Sequence, residues 1–181
     1  MRDAVLGSIY AWVTPTYHGL RFGAAAESAF EVVRKEVDAA LANLIPDALA
    51  KLAAAFESAA SGDPEHWANA ASTCRRALKS AADRLRPPGE PKGERLMSDP
   101  AYVNRLVDWV VSRPGSNTAK SLIFADLEYL GRRLDAADAA GHKGAHGEVD
   151  RFEASRFLVG TYLLLGDLVR LGAGSEGAGR S

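Results

Sequence analysis

Cysteine is almost absent from this chain, since Cys74 is the only one among 181 residues. A lone cysteine cannot form an internal disulfide, and it excludes a cysteine-rich metal site. The sequence also begins without a basic segment, apolar stretch and small-residue cleavage site, the features of a secretory leader. These absences predict a protein of a reducing compartment, and we expect a cytoplasmic location.

No long hydrophobic run and no excess of charge of one sign are present. The longest apolar stretch, within residues 157–171, is interrupted by Asp167 and Arg170, so it is too short and too polar to cross a bilayer. We therefore expect no membrane partner. The 22 basic and 23 acidic residues give a net charge of −1. Any binding of nucleic acid must then depend on a local basic patch.

Several sequence motifs are also missing. There is no GxxxxGK[ST] loop, no GxGxxG after a strand, no GxSxG elbow and no HExxH. Their absence argues against nucleotide hydrolysis, Rossmann redox chemistry and zinc proteolysis, and we expect no cofactor. Alternation of apolar and polar residues, the signal of a half-buried strand, is not found either.

What the sequence does contain is alanine and helical periodicity. Alanine is the best helix former, and apolar residues recur at spacings of three and four. We predict an all-α fold, a single helical bundle of six to seven helices in one domain over residues 1–171, with a disordered Gly/Ser-rich tail over 172–181. The predicted helices cover residues 2–13, 24–44, 47–60, 64–85, 100–111, 117–140 and 150–171.

Inward-facing stripes can be read from two of these helices. The helix over 64–85 should bury Trp67, Ala71, Cys74, Leu78, Ala81 and Leu85, and the helix over 117–140 should bury Ile123, Leu127, Leu130 and Leu134. Asp126 and Asp167 lie within apolar runs. A buried carboxylate needs a partner, which Arg105 or Arg132 could supply.

The turn over residues 141–147, with the sequence GHKGAHG, is the most unusual segment. His142 and His146 titrate near neutral pH and could act as general acid and base. Lys143 and the amides that start the next helix could hold an anion. The alternative is a flexible turn with solvated histidines. A zinc site built from the two histidines with Glu148 and Asp150 is a weaker reading, and we predict no metal.

A second candidate is the basic helix over residues 64–85. Guanidinium groups match the geometry of phosphates, so this helix offers the best surface for nucleic acid. The alternative is a solvated face that pairs with acidic neighbours such as Glu31 and Glu36. The residues predicted to bind nucleic acid are Arg75, Arg76, Lys79 and Arg86, together with Lys143 in the turn.

Three stretches together resemble a known group of proteins. They are HWANAASTCRRALKSAADRLRPP at residues 66–88, YVNRLVDWV at 102–110 and GHKGAHGEVDRFEASRFLVGTYLLLGDLVRL at 141–171. The pattern resembles the AbiTii-type helical domains of bacterial abortive-infection systems and, more loosely, the HEPN-like group. It spans residues 1–171. The resemblance implies a role in defence against phage or in a toxin-like stress response.

HEPN-type proteins often cleave RNA without metal, using an arginine followed after four to six residues by a histidine, at a site formed between two subunits. The resemblance therefore implies that His146 or His142 is the acid/base and that Arg133 or Arg105 steadies the phosphate. The chain departs from the pattern, because eight residues separate Arg133 from His142.

Two hypotheses follow. The first is a defence module that engages RNA or another nucleic acid as a homodimer or with a co-encoded defence protein, with metal-independent cleavage left open. The second is a non-catalytic module for partner binding or oligomerisation. Basic side chains facing carboxylates instead of solvent would favour the second hypothesis.

Overall fold

The structure is a computed structural model that describes residues 30–142 and 149–177, without the side chains of 140–142 and 174–177. The chain divides into two compact units, Met1–Glu36 and Val37–Ser181. The second unit contains almost all of the described residues. The helix predicted over 2–13 and most of the turn over 141–147 lie outside the described residues.

The described part of the chain is all-α, as predicted, with six helices and no strand. Its only extended pairing is a single bridge between Lys92 and Arg95 in the loop over residues 86–101. The helices are α1 over residues 30–44, α2 Pro46–Ala60, α3 Pro64–Leu85, α4 Tyr102–Ser112, α5 Asn117–His142 and α6 Arg151–Gly177.

The breaks between helices follow from local chemistry. Pro46 occupies the first turn of α2, where its missing amide donor costs nothing, and Ile45 before it is not helical. Asp63 caps α3, because its carboxylate accepts a hydrogen bond from the Glu65 amide at 2.8 Å. α3 begins at Pro64 and ends at Leu85, as the sequence predicts.

Two helix starts differ by one or two residues from the prediction, those of α4 and α6. α4 begins at Tyr102 rather than at Pro100. α5 begins at Asn117 as predicted, and the hydroxyl of Ser116 before it accepts from the Ala119 amide at 3.4 Å. Asp150 caps α6 by accepting from the Glu153 amide at 2.7 Å. α6 continues to Gly177, so its last turns reach into the segment predicted as a tail.

The core of the second unit is centred on α3, which packs against α2, α4, α5 and α6. The predicted stripes are largely confirmed: the middle of the α3 stripe and the whole α5 stripe are buried, while Trp67 and Leu85 at the ends of α3 are half-buried. Two glycines allow close helix contacts. An added Cβ would lie 2.8 Å from Val37 at Gly166 and 2.6 Å from Val103 at Gly131.

None of the helices in the described ranges has the length and apolar character needed to cross a membrane.

Candidate functional site

The basic face of α3 is paired with carboxylates. The Arg75 Nε donates to Asp135 at 2.7 Å, and its Nη1 lies 3.7 Å from Asp138. Its guanidinium also stacks 5.4 Å from the centre of the Tyr102 ring. The bond to Asp135 raises the pKa of Arg75 above its usual value, although partial burial opposes this. Arg75 therefore joins α3 to α5.

Lys79 on the same helix and Arg86 directly after its end are paired too. Lys79 donates to Asp99 at 2.7 Å and to Asp83 at 3.1 Å, and the bond to Asp99 is the main reason that its pKa is raised. Arg86 Nε lies 2.7 Å from the Asp108 carboxylate. These three basic side chains thus form ion pairs within the protein.

Arg76 is the exception among the predicted nucleic-acid residues of α3. It is exposed, and its described partners are neutral: Thr73 at 2.6 Å and Asn69 at 3.5 Å. The acidic partners of the α3 face are aspartates from α3, α4, α5 and the connecting loop, while Glu31 pairs with Arg34 on its own helix. The neutralised face favours the second of the two hypotheses.

Arg105 has no exposed surface. Its guanidinium donates to the Asp83 carboxylate at 2.8 Å and to the backbone carbonyls of Arg86 at 3.1 Å and Asp99 at 2.9 Å. It thereby ties α4 to the end of α3 and to the following loop. A substrate phosphate would reach it only after this packing opened, so we do not include Arg105 in the candidate site.

Arg133 instead lies at the surface between α5 and α6. It forms a close ion pair with Glu153, which raises the pKa of Arg133 although burial opposes this. Its second donor reaches the Tyr129 hydroxyl at 3.2 Å, and Arg156 donates to the same hydroxyl at 2.6 Å. Arg156 also lies 3.7 Å from Glu153. Two guanidinium groups therefore surround one phenol with a single carboxylate between them.

In sequence, the predicted histidine turn lies between Arg133 on α5 and Glu153 on α6. α5 ends at His142, whose side chain is not described, and Lys143 and His146 lie outside the described residues. The role predicted for these residues stays a prediction. Among the residues that are described, no group of three or more His, Cys, Asp or Glu side chains could hold a metal ion.

An exposed apolar stripe extends from the arginine cluster. The described residues include nine large apolar side chains that are exposed, and five of them lie on one face of α5 and α6. Their spacings of seven on α5 and of seven and four on α6 place each set on one side of its helix. We call this stripe the α5–α6 surface, and it consists of Leu122, Tyr129, Phe152, Val159 and Leu163.

Two carboxylates mark the other end of the α5–α6 surface. Asp126 is exposed on α5, and Asp167 is half-buried on α6. Burial and then the charge of Asp126 raise the pKa of Asp167, although Arg170 partly offsets them. The predicted pairing of these aspartates with Arg105 or Arg132 is wrong, because Arg105 pairs with Asp83 and Arg132 pairs with Glu128.

A cavity of about 160 Å³ opens in the α5–α6 surface, where Gly160 lies 3.5 Å, measured from an added Cβ, from the Leu130 side chain. Its lining includes Asp126, Arg133 and Arg156 together with Tyr129 and Leu163. Cationic groups, an apolar centre and carboxylates thus follow one another along one groove. Such a groove can bind another macromolecule, but within the described residues it holds no nucleophile with an adjacent base.

Sequence reasoning missed Arg156 and Tyr129. A signal was available, because Phe152, Arg156, Val159 and Leu163 recur at helical spacing along the helix predicted over residues 150–171. This exposed stripe is hard to recognise in the sequence, because the inward side of the same helix is apolar too.

Comparison of the chain with protein-family models, with curated proteins and with solved structures finds no match.

Proposed function

We propose that this chain is a non-catalytic oligomerisation module that pairs with a second copy of itself through the α5–α6 surface. The observation that carries the proposal is that opposite charges lie at the two ends of this surface. Arg133 and Arg156 lie at one end, Asp126 and Asp167 lie towards the other, and exposed apolar side chains lie between them.

A two-fold axis through the middle of this surface brings opposite charges together. In a symmetric dimer the same patch is used twice, so the arginine end of one copy faces the aspartate end of its partner. Arg156 and Asp167 are eleven residues apart on α6, which corresponds to roughly 16 Å along the helix axis. This separation keeps the two ends distinct within a single patch. Val159 and Leu163 between them provide apolar area for burial.

The first test uses two leucines of nearly equal exposure. Leu122 on the α5–α6 surface is 63% exposed, and Leu96 in the loop before α4 is 62% exposed. We expect the wild-type chain to sediment as a dimer at concentrations of about 100 µM, a range that detects even modest affinity. Leu122→Glu should shift it to monomer, while Leu96→Glu should leave the dimer intact. A monomeric wild type, or equal effects of both variants, would contradict the proposal.

A charge-reversal experiment tests the orientation. Arg156→Glu and Asp167→Arg should each weaken the dimer, because each places like charges opposite each other. The double variant should recover association, since the reversed charges meet again across the two-fold axis. Failure of the double variant to associate, with unchanged helix content, would exclude this pairing. If the chain associates only with an acidic partner protein, that protein and not a second copy of the chain would be the partner of the α5–α6 surface.

A second candidate function is the engagement of RNA in cytoplasmic phage defence, as the resemblance implies. It is favoured by the guanidiniums of Arg133 and Arg156, which both donate to the Tyr129 hydroxyl on α5, the helix that ends at His142. Purified wild type and His146→Ala can be incubated with RNA at low salt. Cleavage by the wild type alone would support catalysis. Binding without cleavage, lost in Arg156→Gln, would support a binding role. Inertness of all forms would leave only oligomerisation.

A further inference from the structure

A separate cavity of about 240 Å³ lies where the ends of several helices meet. Its apolar wall is formed by side chains from α1, α3, α4 and α6, and its two charged lining residues are both arginines. The lining consists of Leu44, Arg84, Leu85, Trp109, Arg113, Leu168, Val169, Gly172 and Ala173. It is located near the C-terminal end of α6, whereas the arginine cluster described above lies near the N-terminal end of that helix.

Trp109 places an unpaired hydrogen-bond donor at this cavity. The residue is 97% buried, and its indole Nε1 has no hydrogen-bond partner within the described structure. A buried donor without an acceptor costs free energy, so such a group in a native structure calls for an explanation. The Arg113 guanidinium covers the ring at 4.8 Å from its centre. One face of the indole is therefore occupied, and the buried donor on its edge is left without an acceptor in the described structure.

Arg84 supplies fixed positive charge at the same cavity. Its Nε donates to the Leu44 carbonyl at 3.2 Å, which anchors the guanidinium at the end of α1. The described residues give no partner for its two Nη groups, and the cavity lining contains no carboxylate. This differs from Arg75, Lys79 and Arg86, which are paired with aspartates. The cavity therefore combines apolar walls, a guanidinium fork and a buried donor.

We propose that this cavity is a binding site for a small aromatic carboxylate. The aromatic ring would pack against Leu85, Leu168 and Val169, and the carboxylate would accept hydrogen bonds from Arg84 and from the Trp109 indole N–H. An apolar cavity of about 150 Å³ accommodates benzene, so the larger volume here suits one or two fused rings with a carboxyl group. Charged hydrogen bonds from a guanidinium are the strong ones, which favours an acid over a neutral ring.

The test uses 1-naphthoate as the probe and 1-naphthamide as its neutral analogue. Titration is followed by the indole N–H signal of Trp109 in ¹⁵N spectra. This signal is assigned by comparison with Trp109→Phe or, should that variant not fold, by elimination with Trp12→Phe and Trp67→Phe. We expect 1-naphthoate to shift this signal. Arg84→Gln should weaken 1-naphthoate about tenfold, the loss expected for one charged hydrogen bond, and should leave 1-naphthamide unchanged.

Two further variants separate filling of the cavity from general effects. Ala173→Leu should reduce binding of both probes by filling the cavity, whereas Ala54→Leu, on the exposed side of α2, should change neither. The proposal is overturned if millimolar 1-naphthoate leaves the Trp109 signal unmoved. It is equally overturned if acid and amide bind alike and Arg84→Gln has no effect on either. None of these outcomes depends on the oligomeric state.

Discussion

The guanidinium of Arg105, which has no exposed surface, lies 2.8 Å from the half-exposed carboxylate of Asp83. Burial alone would raise the pKa of Asp83, but hydrogen bonds from Arg105 and Lys79 outweigh it, and the pKa is lowered. The pair joins α3 to α4 at the point where the loop over residues 86–101 leaves the bundle. It gives Arg105 a structural role in this protein.

Asp83→Ala should therefore destabilise the fold. The change leaves a buried guanidinium with only two backbone carbonyls as partners, and we expect a loss of about 2 kcal/mol in the free energy of unfolding. Glu128→Ala is the matched control, because it removes the exposed pair with Arg132 and should cost less than about 0.5 kcal/mol. Urea denaturation measures both values. Equal effects of the two variants would contradict the structural role of the buried pair.

The pH dependence of stability should carry opposite contributions from two aspartates. The lowered pKa of Asp83 means that its stabilising effect is present above its unfolded pKa and is lost as the pH falls through the folded value. The raised pKa of Asp167 has the opposite effect on stability, because the folded state binds the carboxyl proton more tightly than the unfolded state. Stability therefore decreases as the pH rises from the unfolded pKa of Asp167 to its folded pKa.

Asp167→Asn should thus stabilise the monomer at neutral pH. The gain should be below about 1 kcal/mol because the side chain is half-exposed, and it should vanish in acid, where the wild-type carboxyl is protonated in both states. Thermal unfolding at micromolar concentration, from about pH 3 to 7, measures the difference. A difference that stays constant over this range would mean that the titration of Asp167 does not cause it.

Cys74 should be unreactive in the folded protein. It has no exposed surface, and burial raises the pKa of its thiol to about 12. Because the thiolate is the reactive species, we expect a disulfide reagent at pH 8 to modify Cys74 only as fast as the protein opens. Rates measured across sub-denaturing urea should rise with denaturant. Rapid, urea-independent modification would show that α3 does not bury this residue.

The buried stripes of α3 and α5 could be predicted from sequence, whereas the pairing of the basic side chains of α3 with carboxylates could not. Arg75, Lys79 and Arg86 share a side of α3, and the sequence left open whether that side binds nucleic acid or pairs with acidic neighbours. Their partners Asp135, Asp99 and Asp108 are 20 to 60 residues away along the chain, with no local spacing that links them. Packing of α4 and α5 against α3 supplies those carboxylates.

The sequence by itself determined the helices and most of their ends, because capping by Asp63, the prolines at helix starts and the apolar periodicity of α3 and α5 act within one or two turns. The tertiary structure alone decided which charges are neutralised and which apolar side chains stay exposed. Both depend on which residues a neighbouring helix places nearby. α4 and α5 carry aspartates to the basic face of α3, and among residues 30–142 and 149–177 no helix covers Leu122 and Phe152. The local sequence pattern determines which side of its own helix a residue occupies. Only the packing of the helices determines which residues of other helices it meets there.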